Sequence, residues 1–436
     1  MFLAMFLSVV AVLPASVVPA SGSAGDPPGE LTAGGLSYDR AVELALRQSP
    51  YLTQSALEID IRQLDIRDSQ YSFVPSMTLY STYYFESPGN DGNDSTISFN
   101  VGPYNPVMSY FSLQVSRMVE KMARLAHMKV ISEGLHKIAQ GYLELDSLIR
   151  LEAVYREMEG LAEQRVAYVG KLGEAGTASP LETQIAEQEL AVARAETESI
   201  RASQDIVVDR IARFLGLPNI TLQDFAVSDA ERQVLDNFEY SQVSLDKARE
   251  QSFDLQIQKI KEELQAKNIT LAYSKFLPNV SMGVRNVDPL SDQEKDDDYY
   301  ASVSVEIPIW TGLKRVDNVS RQKMVLKQME AETDDKRHEL KTYWQEALTD
   351  MKQASLGMKL AQSALDLAVL KEKQSDISYQ TNSRPLTFLL DDRRSRLNAE
   401  KGLILKTKEY DLAVLLLRHL AGDLFSGHVN VSLLER

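Results

Sequence analysis

Two hydrophobic periods alternate along the chain. Helical spacing holds over long stretches, and a period of two replaces it in short ones. The stretches from Pro106 to Pro180 and from Pro308 to Pro385 contain no interior proline, and helical periodicity persists through both. About 65 residues at 1.5 Å rise predict a rod of roughly 100 Å, whereas an ordinary globular helix has about 12 residues. In the second stretch Leu340, Trp344, Ala347, Met351, Ala354, Met358, Ala361, Leu365 and Ala368 follow an unbroken 4-3 spacing. Leu356, Leu360, Leu367 and Leu370 begin a second stripe beside it. Alanine alternating with larger residues permits close antiparallel packing and left-handed supercoiling. Two adjacent stripes predict neighbours on two sides, as in the wall of a tube.

Period two takes over after Pro278. Val280, Met282 and Val284 alternate with Ser281, Gly283 and Arg285, and Tyr299, Ala301, Val303, Val305 and Ile307 alternate with Tyr300, Ser302, Ser304 and Glu306. The first half repeats this with Met77, Leu79, Tyr83 and Phe85, then Ile97, Phe99 and Val101. These are half-buried strands joined by loops rich in Gly, Asn and Asp. Four strands cannot close a barrel alone, and an open sheet with one apolar face needs a partner. Ring closure by identical copies meets that need, since lipid tolerates no open edge.

The halves carry the same landmarks in the same order. Leu36-Ser37-Tyr38-Asp39-Arg40-Ala41 is answered by Val243-Ser244-Leu245-Asp246-Lys247-Ala248, and Phe73-Val74-Pro75-Ser76 by Phe276-Leu277-Pro278-Asn279. Arg213-Phe214-Leu215-Gly216 is answered by Arg418-His419-Leu420-Ala421. The offset stays near roughly 205 residues, the mark of a tandem duplication. Each half reads helix, strand pair, very long helix, break, helix, with Ser37 and Ser244 as N-caps. The first repeat spans 36–217, with its strand pair at 75–103 and a tip near 176–182. A linker at 218–242 leads to the second repeat, 243–422, with its strand pair at 278–308 and a tip near 379–391. Residues 423–436 read as a tail. The apolar, small-residue-ended segment 1–24 reads as a secretory signal, although no basic residue precedes its apolar run, and 25–35 as a linker.

Composition narrows the chemistry. Acidic residues outnumber basic ones 62 to 47, a net charge of −15, which argues against nucleic acid. The absence of cysteine excludes disulfides, zinc-thiolate sites and thiol nucleophiles. His127, His136, His338, His419 and His428 are scattered, with no two at a ligand spacing. No phosphate-binding glycine loop and no nucleophile–base arrangement is legible, so neither an enzyme nor a cofactor is expected. The acidic stretch Asp292–Asp298 lacks the ordered spacing of a calcium loop; it reads as a solvated loop, the alternative being cations shared with lipopolysaccharide. Tyr80, Tyr83, Tyr84, Phe85, Tyr299, Tyr300 and Trp310 sit near strand ends, where aromatic girdles form in barrels. No stretch after the first segment is long enough for a membrane helix.

With its paired Phe-x-Pro turns, the turn Ile307-Pro308-Ile309-Trp310-Thr311-Gly312 and the segment SDISYQTNSRPLTFLLDDRRSRLNAE (Ser375 to Glu400), the chain resembles the TolC-type outer-membrane efflux channels from Leu36 to about Gly422. The resemblance implies a mainly α fold with a small β part. Long antiparallel helices would form a periplasmic tunnel, and four strands per protomer would complete a trimeric 12-stranded barrel in the outer membrane of a Gram-negative bacterium. It implies a passive exit duct of a tripartite efflux or type I secretion system. The expected partners are two further copies, a periplasmic adaptor, an inner-membrane transporter and outer-membrane lipid. It further implies that Glu182, Tyr379 and Arg384 tie neighbouring helices at a closed entrance, and that Asp391 lines the constriction. A second acid is common in relatives one turn earlier; here that place holds Phe388. The second departure is Val101-Gly102-Pro103-Tyr104-Asn105-Pro106-Val107, where an aromatic-then-glycine turn is expected. Ordinary surface residues, with Asp391 and Asp392 answering Arg393 and Arg394, are the plainer reading of these positions. The competing reading of the whole is a periplasmic coiled-coil adaptor or rod without a pore, which does not require alternating strands.

Overall fold

A computed structural model describes residues 35–74, 76–84, 94–218, 220–227, 234–235, 244–287, 298–307, 313–381 and 383–428. The signal segment 1–24, nearly all of the linker 25–35, the acidic stretch up to Asp297, the turn 308–312 and the chain after His428 lie outside these residues.

Each repeat opens with two helices where the sequence pattern reads as one. They are α1 (Tyr38–Gln48) and α2 (Pro50–Tyr71) in the first, and α5 (Leu245–Gln251) and α6 (Phe253–Ser274) in the second. Helical periodicity runs through both breaks, but a serine interrupts the ladder at each. Ser49 precedes Pro50, which has no N–H to continue the ladder, and its Oγ donates to the Phe214 carbonyl at 2.7 Å. Ser252 caps α6, its Oγ accepting from the Leu255 N–H. Strands β1 (Met77–Tyr84) and β2 (Asp94–Tyr104) follow the first pair, and β3 (Asn279–Val287) and β4 (Asp298–Glu306) the second.

The long helices are α3 (Pro106–Glu174), of 69 residues, and α7 (Lys314–Gln380), of 67. Each turns back into a shorter partner, α4 (Pro180–Leu215) and α8 (Leu386–Leu420) respectively. The segment read as a tail begins with α9 (Asp423–His428), whose Leu424 and Phe425 are buried in the core. The unusual turn before α3 resolves simply: β2 runs on to Tyr104 through a register shift after Val101. Asn105 then caps α3, its Oδ1 accepting from the Val107 and Met108 N–H groups at 3.1 and 3.2 Å, with Pro106 in the first turn.

Helix α3 packs against α2, α4, α6 and α8, and α7 against α6 and α8. The result is a palisade four helices wide: α2 and α4 along one side of α3, α6 and α8 between α3 and α7. Along the α7 seam Trp344, Ala347, Met351 and Ala368 are buried, whereas Leu356, Leu360, Leu367 and Leu370 of the second stripe are exposed. The main core lies where the first repeat's helices converge. Tyr142 donates to the Leu36 carbonyl at 2.9 Å and meets Tyr38 edge-on, and Leu36 bridges to Phe225. A second cluster of Ala248, Trp344, Ala347, Met351 and Leu417 forms in the other repeat.

The four strands form one antiparallel sheet in the order β1-β2-β3-β4. Its register aligns side chains by character. Leu79, Phe99, Val284 and Ala301 make one row and Val101, Met282 and Val303 the next, with Val280 opposite Val305. The other face carries Thr78, Asn100, Gly283 and Ser302, then Ser281 opposite Ser304. One face is therefore apolar across all four strands and the other polar. Among the described residues both edges, β1 and β4, are unpaired.

Candidate functional site at the helical tips

Both tips are short turns at the ends of the palisade away from the sheet. After α3, Gly176 adopts φ +69°, where a side chain would be strained, and the Thr177 N–H returns to the Leu172 carbonyl at 2.8 Å. Ser179 then starts α4 with a reciprocal cap. Its N–H donates to Glu182 Oε2 at 2.7 Å, and its Oγ accepts from the Glu182 N–H at 3.3 Å. After α7, the Thr381 N–H closes onto Ile377 and the Ser383 N–H onto Ser378 at 2.8 Å, before Pro385 leads into α8.

The residues singled out by resemblance separate within one protomer. Glu182 is engaged by its own cap. Tyr379 is exposed on the last turn of α7. The Arg384 guanidinium lies 5.6 Å from the ring centroid of Phe388, itself exposed. Among the described residues no hydrogen bond or ion pair joins Glu182, Tyr379 and Arg384. Asp391 accepts from Arg165 Nη1 of α3 at 3.2 Å. Asp392 accepts from Ser375 Oγ of α7. The two acids thus answer neighbouring helices instead of Arg393 and Arg394.

A charge network centred on α8 holds the two hairpins together. Toward α7, Arg393 reaches Glu372 at 3.4 Å and Arg396 reaches Glu372 at 2.7 Å. Toward the first hairpin, Arg394 reaches Glu189 of α4 at 3.4 Å, and Arg396 pairs with Glu157 of α3. Arg165 stands between Glu189 at 3.3 Å and Asp391 at 3.2 Å. Burial works against the charge of Arg396, but Glu157, Glu372 and Glu400 outweigh it and raise its pKa above the ordinary guanidinium value. These pairs are partly exposed, so each contributes about 0.2–1 kcal/mol. Contacts of that size hold the two hairpins together without making the arrangement permanent. Arg165, Glu189, Glu157 and Glu372 escape sequence reasoning because a pair formed across hairpins leaves no local spacing. The cluster Arg393-Arg394-x-Arg396 on one helix was the available signal.

No protein-family model matches the chain, and no curated protein sequence matches it. Solved structures do. The Campylobacter jejuni CmeC outer membrane channel superposes with a TM-score of 0.73 at 14% identity, covering 91% of this chain and 90% of its own. The fold is TolC-like. The Vibrio cholerae outer membrane protein VceC matches with a TM-score of 0.69 at 15% identity, over 88% of this chain and 96% of its own. A membrane protein from Pseudomonas aeruginosa matches with the same score at 18% identity, over 88% and 93%. The TolC-like fold accounts for the palisade, the doubled hairpins and the four-stranded sheet together. No described helix is long and apolar enough to cross a membrane.

Proposed function

We propose that three copies of this chain form a passive exit channel in the outer membrane, each contributing four strands to a 12-stranded barrel. An inner-membrane transporter would deliver substrates through a periplasmic adaptor. The observation that carries this reading is the sheet: an apolar face in register across four strands, a polar face behind it, and two open edges. A transmembrane barrel needs an apolar outside, a polar inside and no free edge. Since β1 and β4 run in opposite directions, β4 of one copy can pair antiparallel with β1 of the next. The helical palisade would continue the barrel as a tunnel.

The tips would close that tunnel. Asp391 and Phe388 would line the constriction as an acidic ring, tempered by Arg165, beside an apolar one. Tyr379 and Arg384, without polar partners inside a protomer among the described residues, would meet Glu182 or its helix on the adjacent hairpin. Glu182 keeps Oε1 for such a contact, because its cap occupies Oε2.

The test is direct. Extraction from outer membranes should yield a detergent-stable trimer with discrete conductance steps in planar bilayers. A soluble periplasmic monomer without conductance would favour the coiled-coil rod.

A further inference from the structure

Helices α3 and α7 leave the sheet with the same pattern. On α3, Val107, Tyr110, Gln114, Arg117 and Lys121 follow a 3-4-3-4 spacing, and on α7, counted from its cap, Leu313, Val316, Ser320, Lys323 and Lys327 repeat it position for position. That spacing lines one face of a helix. Each stripe is apolar next to the sheet and basic two turns farther on. The apolar members Val107, Tyr110, Leu313 and Val316 are exposed, and so are all four basic ones. Lys323 Nζ lies 5.6 Å from the ring centroid of Tyr273 on α6, which brings an exposed aromatic ring into the same face. Helix α3 is packed by α2 and by α6, so its stripe lies on a broad face of the palisade and not on an edge that another copy would cover.

The four bases have no acid of their own inside the protomer. Glu120 holds Arg124, Glu58 and Asp65 hold Arg62, and Glu262 accepts from Thr333. The exposed acids alongside, Asp60 and Asp68 of α2, Glu263 of α6 and Asp317 of α7, lie beyond ion-pair distance from any of the four. Residues 314–327 carry five basic side chains against one acid, in a chain of net charge −15. Positive charge is gathered beside the sheet.

We propose that the two stripes form a collar that binds anionic phospholipid headgroups of the leaflet on the helix side of the barrel. The proposal rests on the channel reading, under which the sheet's apolar face meets lipid. The apolar start of each stripe then continues that surface past the end of the strands. Arg117 and Lys323 follow about 15 Å along the axis from the helix starts, at 1.5 Å per residue. Side chains on a helix lean toward its N-terminus, here toward the sheet. Their apolar stems can lie along the stripe while the charged heads reach the phosphates, and a guanidinium presents paired N–H donors to such a group. Basic residues near an anionic surface are attracted to it over about a screening length, which brings in Lys121 and Lys327. Three copies would set the stripe six times around the collar.

The experiment uses the full-length protein reconstituted in phosphatidylcholine vesicles. Spin-labelled phosphatidylglycerol and spin-labelled phosphatidylcholine are added separately, and the motionally restricted fraction of each is read by electron paramagnetic resonance. Phosphatidylglycerol should be preferred at least twofold near 0.1 M salt, and the preference should shrink near 1 M. Arg117→Gln, Lys121→Gln, Lys323→Gln and Lys327→Gln combined should bring the ratio close to one. Lys341→Gln with Lys352→Gln, exposed residues farther down α7, should leave it unchanged. Should the fourfold variant fail to assemble, Lys323→Gln with Lys327→Gln decides, and is expected to remove about half of the preference. A conducting trimer without the preference would overturn the assignment alone. So would a fourfold variant that keeps the preference and instead shifts the reversal potential in a salt gradient, which would put the stripes on the lumen side. An unsubstituted protein that forms no conducting trimer would overturn the channel reading and this proposal with it.

Discussion

Arg165 illustrates how a single residue can tie two hairpins together. Its guanidinium touches carboxylates on two helices, Glu189 of α4 and Asp391 of α8. Removing it leaves those acids facing each other across the hairpin junction, a repulsion where there was an attraction. Arg165→Ser should therefore loosen the hairpins and raise single-channel conductance, as should Arg384→Ser combined with Tyr379→Phe. The two tests separate an internal staple from a lock between copies. If Arg165→Ser alone opens the channel several-fold, the staple inside the protomer governs; if only the double variant does, the tip contacts govern. Wild-type conductance in both, with trimers intact, would leave the apolar seam as the closure. Glu182 shows what sequence could and could not say at this scale. Ser179-x-x-Glu182 carries the spacing of a reciprocal helix cap, and the structure forms that cap. Its other possible role depends on a neighbouring hairpin, which no local pattern encodes.

At the scale of elements, the long helices and the strands were legible because their periods are sustained and undisturbed by proline. The breaks at Ser49 and Ser252 were not, since the apolar period continues across them and outweighs the local marks, Pro50 without an N–H and the Ser252 cap on Leu255, while Ser49 is also tied to Phe214 across the fold. Contacts between distant helices were equally hidden. Where α3 meets α8, His136 and His419 stack with ring centroids 4.6 Å apart, and Ser132 Oγ lies 3.4 Å from His419 Nδ1. Burial, then His136 and Lys129, push His419 down to about 4; burial and Lys137 also lower His136. Lys129 is itself paired with Asp254 at 2.6 Å and lies 3.8 Å from Glu133, so acids are near but already engaged. A folded pKa below the unfolded one means that the native state binds fewer protons in acid. The stabilisation is therefore complete above the unfolded value near 6.5 and is lost as pH falls toward 4. Urea midpoints measured at pH 7, 5.5 and 4 should fall more steeply for the wild type than for His419→Gln. Parallel slopes would mean that the seam accommodates the charged ring.

The whole molecule leaves apolar surface uncovered at both edges of its palisade. On α7 the second stripe leaves Leu356 at 66%, Leu360 at 73%, Leu367 at 54% and Leu370 at 63% exposure, a row of large apolar residues at one edge of the palisade. At the opposite edge Leu57, Ile61 and Leu64 of α2 and Leu181, Ile185 and Val192 of α4 are also exposed. Exposed apolar stripes at helical spacing on both free edges are what a ring of identical copies would cover, α7 of one against α2 and α4 of the next. The second stripe was readable in sequence because its spacing matches the first; which helix would cover it was not, because on the channel reading that helix would belong to another copy. Burying each leucine contributes about 1.5–3 kcal/mol, so a pair of charges there should disrupt closure more than any surface ion pair. Leu360→Glu with Leu367→Glu should leave the protomer folded, because both side chains lie outside its core and the buried seam of Trp344, Ala347 and Met351 is untouched. The expected result is native helical content by circular dichroism, loss of the detergent-stable trimer on size exclusion with light scattering, and loss of conductance. A double variant that remains trimeric and conducts would show that the α7 stripe faces something other than a second copy, and the closure of the palisade would have to be sought in the strands.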